Sequence, residues 1–340
     1  MVESKRAGRG INWGFWIRLA VVAAIFTWIG SKNDWVAFGR ELANADLRWL
    51  LAAWLAFGLA QVAGAWRWKM LLQVQQIRLS YGRTWVINMI GFFFNQFLFG
   101  STGGDLVKIF YAIRQAPHKK AEAALSMVMD RVIGLSAILA ITFLLIPFEW
   151  RTLGANEDTR FIVRVLAVVL SGIFLGITAT LLFPFGALPE WMHRLWQNVP
   201  KRDIFEALYK GLKAHGKERR ATVLALVAAA CSVVPLLSTG WLLSQSLHLD
   251  IAPGPMTILF ALVLCAISIP LFPGGHGARE AAFVLLFGIF SVTRHGVPVG
   301  QETALACSIL FLLVVLSWSL IGGVVYLFFS GHLKRTEADM

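Results

Sequence analysis

Pro273-Gly274-Gly275-His276-Gly277-Ala278-Arg279-Glu280 interrupts an apolar run that starts at Thr257 and resumes as far as Val292. Proline and glycine break a helix, and the backbone groups they free are tolerated at membrane depth only inside protein or along a cavity. Arg279 and Glu280 then fall in the first turn of the next helix, beside the break. A second apolar run behaves the same way: Trp85–Gly100 meets Ser101-Thr102-Gly103-Gly104-Asp105 and continues to Ile113. The two breaks echo each other, with Leu98-Phe99-Gly100 ahead of one Gly-Gly pair and Leu271-Phe272-Pro273 ahead of the other.

Outward from these breaks the chain is strongly apolar. Hydrophobic residues make up 57% of its 340 positions and charged residues 15%, against about 25% in soluble domains. A helix needs about 20 apolar residues to cross the hydrocarbon. Six uninterrupted segments meet that length or come close: Trp13–Gly30, Trp49–Trp66, Ala121–Phe148, Phe161–Phe185, Ala221–Leu247 and Thr303–Phe329. The residues before Trp13 include Lys5, Arg6 and Arg9, as in a signal peptide. Bulky Trp28 and Ile29 stand where a cleavage site needs small residues, so an uncleaved first span is expected.

Basic residues concentrate in 1–18, 67–83, 108–120, 194–220 and 332–335, whereas 149–160 and 251–255 carry little net positive charge. The positive-inside rule puts the first set, and both termini, in the cytoplasm. The parity then works if 85–113 leaves and returns on the cytoplasmic side and 257–292 on the outer side, as an inverted repeat produces. Two full spans with a tight turn at each break would keep the same parity. Residues 190–218 read either as an amphipathic helix on the leaflet or as an ordinary charged loop helix. The expected architecture is a single all-α polytopic membrane domain in a bacterial inner membrane. It has about six spanning helices and two re-entrant hairpins; 13–184 and 221–330 form its halves.

The net charge of +12 follows from the cytoplasmic loops and does not call for nucleic acid. Cys231, Cys265 and Cys307 lie in apolar segments without CxxC spacing, which speaks against a disulfide framework or zinc. No cofactor or metal is expected, and there is no GxxxxGK[ST], GxSxG or HExxH.

Ionisable residues inside membrane segments are costly and are functional candidates by default. The first group is Asn95 with Gly103, Gly104, Asp105 and Lys108: the glycines leave backbone N–H groups open, and the helix from Asp105 points its positive end at the break. Equally, Asp105 can simply cap its own helix. The second is Asp130-Arg131, whose side chains diverge on a helix, so each needs a partner elsewhere. Arg131 suits a phosphate through its guanidinium fork, or an ion pair between helices. The third is Gly274, Gly275, His276, Gly277, Arg279 and Glu280. His276 is a weak metal candidate on its own and a conceivable protonation switch. The fourth is Arg67 in Trp66-Arg67-Trp68-Lys69, which also has the composition of an interfacial anchor.

The set Asn95…Gly104-Asp105…Lys108, Asp130-Arg131 and Pro-Gly-Gly-x-Gly-x-x-Glu from Pro273 to Glu280 resembles the lysylphosphatidylglycerol synthase transmembrane-region family, also described as flippase-like proteins. The resemblance runs from about residue 50 to 330. Lys108 stands where Arg is more usual and Asp130 where Glu is more usual, and lysine gives up the bidentate fork. Fused members carry a soluble aminoacyl-transferase domain after the membrane part. This chain ends at Met340, so the resemblance implies a lipid-translocating module without that transferase activity. Arg67, Lys108, Arg131 and Arg279 would hold an anionic headgroup, with Asp105, Asp130 and Glu280 orienting them or carrying a proton. The substrate would be a phospholipid or a polyprenyl- or hopanoid-type lipid. Rival readings are a membrane-embedded lipid enzyme using His276 and Glu280, and a non-catalytic scaffold for a partner glycosyltransferase or lipid-modifying enzyme.

Overall fold

A computed structural model describes residues 35–97, 103–149, 161, 165, 219–268 and 277–338. Its helices are α1 (Trp35–Ala43), α2 (Leu47–Val74), α3 (Tyr81–Phe97), α4 (Gly103–Gln115), α5 (Lys120–Leu145), α6 (Arg219–Ser246), α7 (Pro253–Ser268), α8 (Ala278–Ile289) and α9 (Gln301–Ala338). A two-stranded ribbon, β1 (Thr293–Arg294) and β2 (Val297–Pro298), joins α8 to α9. Among the described residues, four helices are long and apolar enough to cross a membrane: α2, α5, residues 227–246 of α6, and residues 301–329 of α9. The protein is an all-α, multi-pass membrane protein. The expected spans Trp13–Gly30 and Phe161–Phe185 and the segment 190–218 lie outside the described residues, apart from helical Phe161 and Val165.

Local chemistry sets the helix ends. Asp46 caps α2 by accepting the Arg48 amide at 2.8 Å, and Gln76, at φ 58°, turns the chain out of it. His248, at φ 55°, does the same after α6, and Pro253 opens α7 at a position where its missing N–H costs nothing. Pro235 sits inside α6. The arms α3, α4, α7 and α8 have 17, 13, 16 and 12 residues, each short of a full crossing. The pair α3–α4 packs so tightly that a Cβ on Gly104 would run into the Gly91 carbonyl oxygen.

The eight helices from α2 to α9 form two copies of one unit. α2 and α6 each have 28 residues. Tyr81 opens α3 34 positions after Leu47 opens α2, and Pro253 opens α7 34 positions after Arg219 opens α6. Exchanging α2 with α6, α3 with α7, α4 with α8 and α5 with α9 maps every substantial packing among these eight helices onto another. The central pair α2 and α6 is antiparallel: the Asp46 amide at the start of α2 donates to the Ser246 carbonyl at the end of α6, and Trp49 meets Trp241 edge-on at 5.7 Å. Further along α2, Met70 and Leu71 pack with Ala225 and Ala229 near the start of α6. The relating axis is therefore perpendicular to these helices, and the two units run in opposite directions through the membrane.

The two largest apolar clusters among the described residues hold the units. The larger one centres on Phe260, Phe283 and Phe311, with Phe260 and Phe311 edge-to-face at 5.0 Å. The other, around Trp68, Ile87, Ile90 and Tyr111, fastens α3 and α4 to α2.

Candidate functional site

A cavity of about 310 Å³ opens at the broken end of the first hairpin. Arg67 of α2, Asn95 of α3, Asp105 and Lys108 of α4, and Asp130 and Arg131 of α5 line it, and Ile267 and Ser268 at the end of α7 complete it. Six of the fourteen residues singled out in the sequence thus converge from four helices.

The charges interlock across helices. Asp130 accepts from Arg67 Nε at 2.7 Å, and Arg67 Nη1 donates to Ser232 Oγ of α6 at 2.9 Å. Arg131, next to Asp130, turns the other way and gives Nε to Asp105 Oδ2 at 2.5 Å. Neighbouring positions on one helix thus serve two partners, as the angular offset between them requires. The environments differ: the Arg67 and Asp130 side chains are 14% and 9% exposed, whereas Arg131 is 38% exposed. Gly134 leaves room for Arg67, since a Cβ there would come within 3.2 Å of Nη1.

Lys108 is the cation left over. It is buried one turn along α4 from Asp105, and among the described residues its ammonium has no ion pair; it lies 5.4 Å from the centroid of the Trp68 ring. That contact uses the ring quadrupole, which is weaker compensation than a carboxylate. Among the described residues the wall therefore carries three cations and two carboxylates.

The hairpin glycines do something other than offer open amides. Asn95 Oδ1 accepts the Gly104 amide at 2.8 Å, so this part of the α4 N-terminus is already satisfied, with Asp105 in its first turn. Gly103 opens the helix. The second break is built alike: Glu280, third residue of α8 as Asp105 is of α4, accepts the Gly277 amide through Oε2 at 2.7 Å. Gly277 itself sits at φ 83°, where a side chain is disfavoured. The other Glu280 oxygen takes the Arg279 guanidinium, whose Nε also donates to Ser308 Oγ of α9 at 3.0 Å. Arg279 and Glu280, 4% and 2% exposed, form a closed unit that is not among the residues lining the cavity. Gly274, Gly275 and His276 lie outside the described residues.

Arg67 differs most from its sequence context. The Trp66–Lys69 cluster suggests the end of a span, yet α2 continues to Val74 and Trp68 is fully buried, so Arg67 points into the bundle. Ser232 and Ser268 gave no sequence signal. Each also bonds a carbonyl of its own helix, Ala229 and Leu264, as lone serines in apolar helices do.

An inverted pair of helical units with a charged cavity at interrupted helices defines the class: a multi-pass membrane protein with an intramembrane polar site. The chain matches the family described as the lysylphosphatidylglycerol synthase TM region over residues 15–323, and it belongs to that family. It is also similar to a UPF0104 membrane protein of Pyrococcus horikoshii, at 22% identity over 334 residues covering 92% of this chain and 95% of the relative.

Proposed function

We propose that this protein moves a lipid with an anionic headgroup, a phospholipid or a polyprenyl-phosphate-linked lipid, across the inner membrane through the cavity at the first break. The supporting observation is the cavity wall, where among the described residues Arg67, Lys108 and Arg131 stand with Asp105 and Asp130, and Lys108 is buried. Such an imbalance favours an anion, because Lys108 gains a counter-ion when one binds. A cavity of about 310 Å³ is at the small end of ligand sites and suits a headgroup, with acyl chains left in lipid. In this reading the α3–α4 hairpin enters from the cytoplasmic face and α7–α8 from the outer face, with both termini cytoplasmic.

Glu280 argues against the enzyme alternative, since both its oxygens are committed to Gly277 and Arg279 and it is buried. The test is reconstitution in liposomes carrying phosphatidylglycerol with a fluorescent analogue in one leaflet. Movement between leaflets with unchanged lipid mass is the expected result. Conversion of the lipid to a product of different mass, or no movement of any anionic lipid, overturns the proposal.

A further inference from the structure

The two arms of the first hairpin follow one pattern: a glycine and, four positions on, a side chain with N–H donors. On α3 these are Gly91 and Asn95, on α4 Gly104 and Lys108. Residues four apart share a helix face, and here both faces meet. A Cβ on Gly104 would run into the Gly91 carbonyl oxygen and come within 2.7 Å of Asn95 Cγ. A Cβ on Gly91 would come within 2.6 Å of Lys108 Cγ and 2.8 Å of Cε. The bare backbone at Gly91 is thus the bed along which the Lys108 stem runs.

This packing leaves both donors for the cavity. The Gly104 amide can only donate, so the Asn95 oxygen faces it and the amide nitrogen is turned away. Among the described residues Asn95 Nδ2 has no hydrogen-bond partner, and the Lys108 ammonium has only the Trp68 ring. Lys108 is 7% exposed, and both residues line the cavity. The other two cations there differ in kind: Arg67 already meets Asp130, and Arg131 already meets Asp105. Those four charges cancel in pairs, so among the described residues the wall keeps one positive charge. The segments that follow Phe97 and Ser268 in the chain, 98–102 and 269–276, contain no Asp, Glu, Lys or Arg.

We infer that the site selects a singly charged phosphodiester, held by Lys108 Nζ and Asn95 Nδ2. This rests on the headgroup role of the cavity and adds to it which headgroups qualify. A phosphodiester carries one negative charge at neutral pH and closes the balance to zero. A phosphomonoester carries about 1.5 to 2. Its excess would stand uncompensated beside Asp105 and Asp130, and a buried charge recovers its desolvation cost only from a partner. The donors suit the shape as well: an ammonium and a carboxamide each serve a separate oxygen, and a diester offers two unesterified ones. Phosphatidylglycerol and a polyprenyl phosphate esterified to a sugar both present this group. Phosphatidic acid and a bare polyprenyl phosphate do not.

One methyl group tests the selection. The purified full chain in detergent is titrated calorimetrically with dihexanoyl phosphatidic acid and with its methyl ester, and likewise with farnesyl phosphate and its methyl ester. At about pH 8 each parent is a dianion, so within a pair only the methyl and one charge differ. On the scaffold the protein binds better, which identifies the lipid, the methyl ester should bind at least about tenfold more tightly than its parent. Lys108→Met should weaken that binding at least about tenfold without lowering stability in SDS. Asn95→Asp keeps the acceptor for the Gly104 amide but replaces the donor by a charge that cancels Lys108, and it should weaken binding as much. Parent acids that bind as tightly as their esters overturn the selection and leave the headgroup role standing. Undiminished binding to either variant overturns the donor assigned to it. The comparison of ester with parent needs no variant to fold. Should none of the four compounds bind, the headgroup role itself fails, and the selection with it.

Discussion

Replacing Asp130 by alanine strands the Arg67 guanidinium inside the bundle. The pair is 14% and 9% exposed, so solvent screens it little, and breaking a buried pair costs about 3–5 kcal/mol. Arg67 keeps its bond to Ser232, worth about 1 kcal/mol, which puts the expected loss for Asp130→Ala at about 2–4 kcal/mol. Arg67→Met should cost a similar amount, because the Asp130 carboxylate is then left alone. In Arg67→Met/Asp130→Ala no buried charge is stranded, and the double variant should recover about 2–3 kcal/mol relative to the sum of the singles. The same cycle at Arg131 and Asp105 should couple by only about 1 kcal/mol, because Arg131 is 38% exposed. Unfolding by SDS in mixed micelles, followed through the tryptophans, measures all seven forms, the two cycles sharing the wild type. Coupling below about 0.5 kcal/mol at Arg67–Asp130, or stronger coupling at Arg131–Asp105, refutes the reasoning that the better-buried pair is the stronger one.

Lys108→Met removes a buried cation that has no carboxylate partner among the described residues, so it should leave SDS stability equal or higher while weakening phosphatidylglycerol movement; a large stability loss would mean that the ammonium is structural. Gly104→Ala pushes a methyl into the Gly91 carbonyl and should cost about 1–3 kcal/mol by overpacking, read by the same titration. Glu280→Gln removes the charge partner of Arg279 and should destabilise the protein by about 3–5 kcal/mol, with Arg279→Met in the same chain restoring much of it. Cysteines at His118 and Ala252, in the connections before α5 and α7, should react with impermeant maleimide from opposite sides of the membrane; labelling from one side contradicts the inverted arrangement.

The helices were legible because apolar length and helix breakers are local properties of the chain. The interrupted hairpins followed from Pro273, the glycines and the Gly103-Gly104 pair. For the same reason the cavity's charges could be named but not paired. That Asp130 and Arg131 need separate partners follows from helix geometry; that the partners are Arg67, 63 positions away, and Asp105, 26 positions away, is set by packing. The offset argument that separates Asp130 from Arg131 does not carry to Arg279 and Glu280. There the acid bends back to cap Gly277, and that turn brings it onto its neighbour's guanidinium. Arg67 was legible as a candidate but not its depth, because Trp-Arg-Trp-Lys has the composition of an interface, and the burial of Trp68 shows the helix passing through.

The antiparallel pairing of α2 and α6 also bears on how the chain enters the membrane during synthesis. Two units with the same helix order and opposite direction give the folding machinery no architectural cue as to which way up either belongs. Orientation must come from the connections, and these differ: His118, Lys119 and Lys120 mark the turn before α5, with Lys119 Nζ donating to the Gln76 carbonyl at 2.9 Å. The corresponding connection before α9 is instead an ordered ribbon whose Arg294 is neutralised by both oxygens of Glu41 at 2.9 and 2.7 Å. By the count of Lys and Arg, Lys119 and Lys120 at one connection against Arg294 alone at the other, the α5 side holds the excess of base, and that excess rather than the architecture is the cue that can set which way up such near-equivalent halves insert.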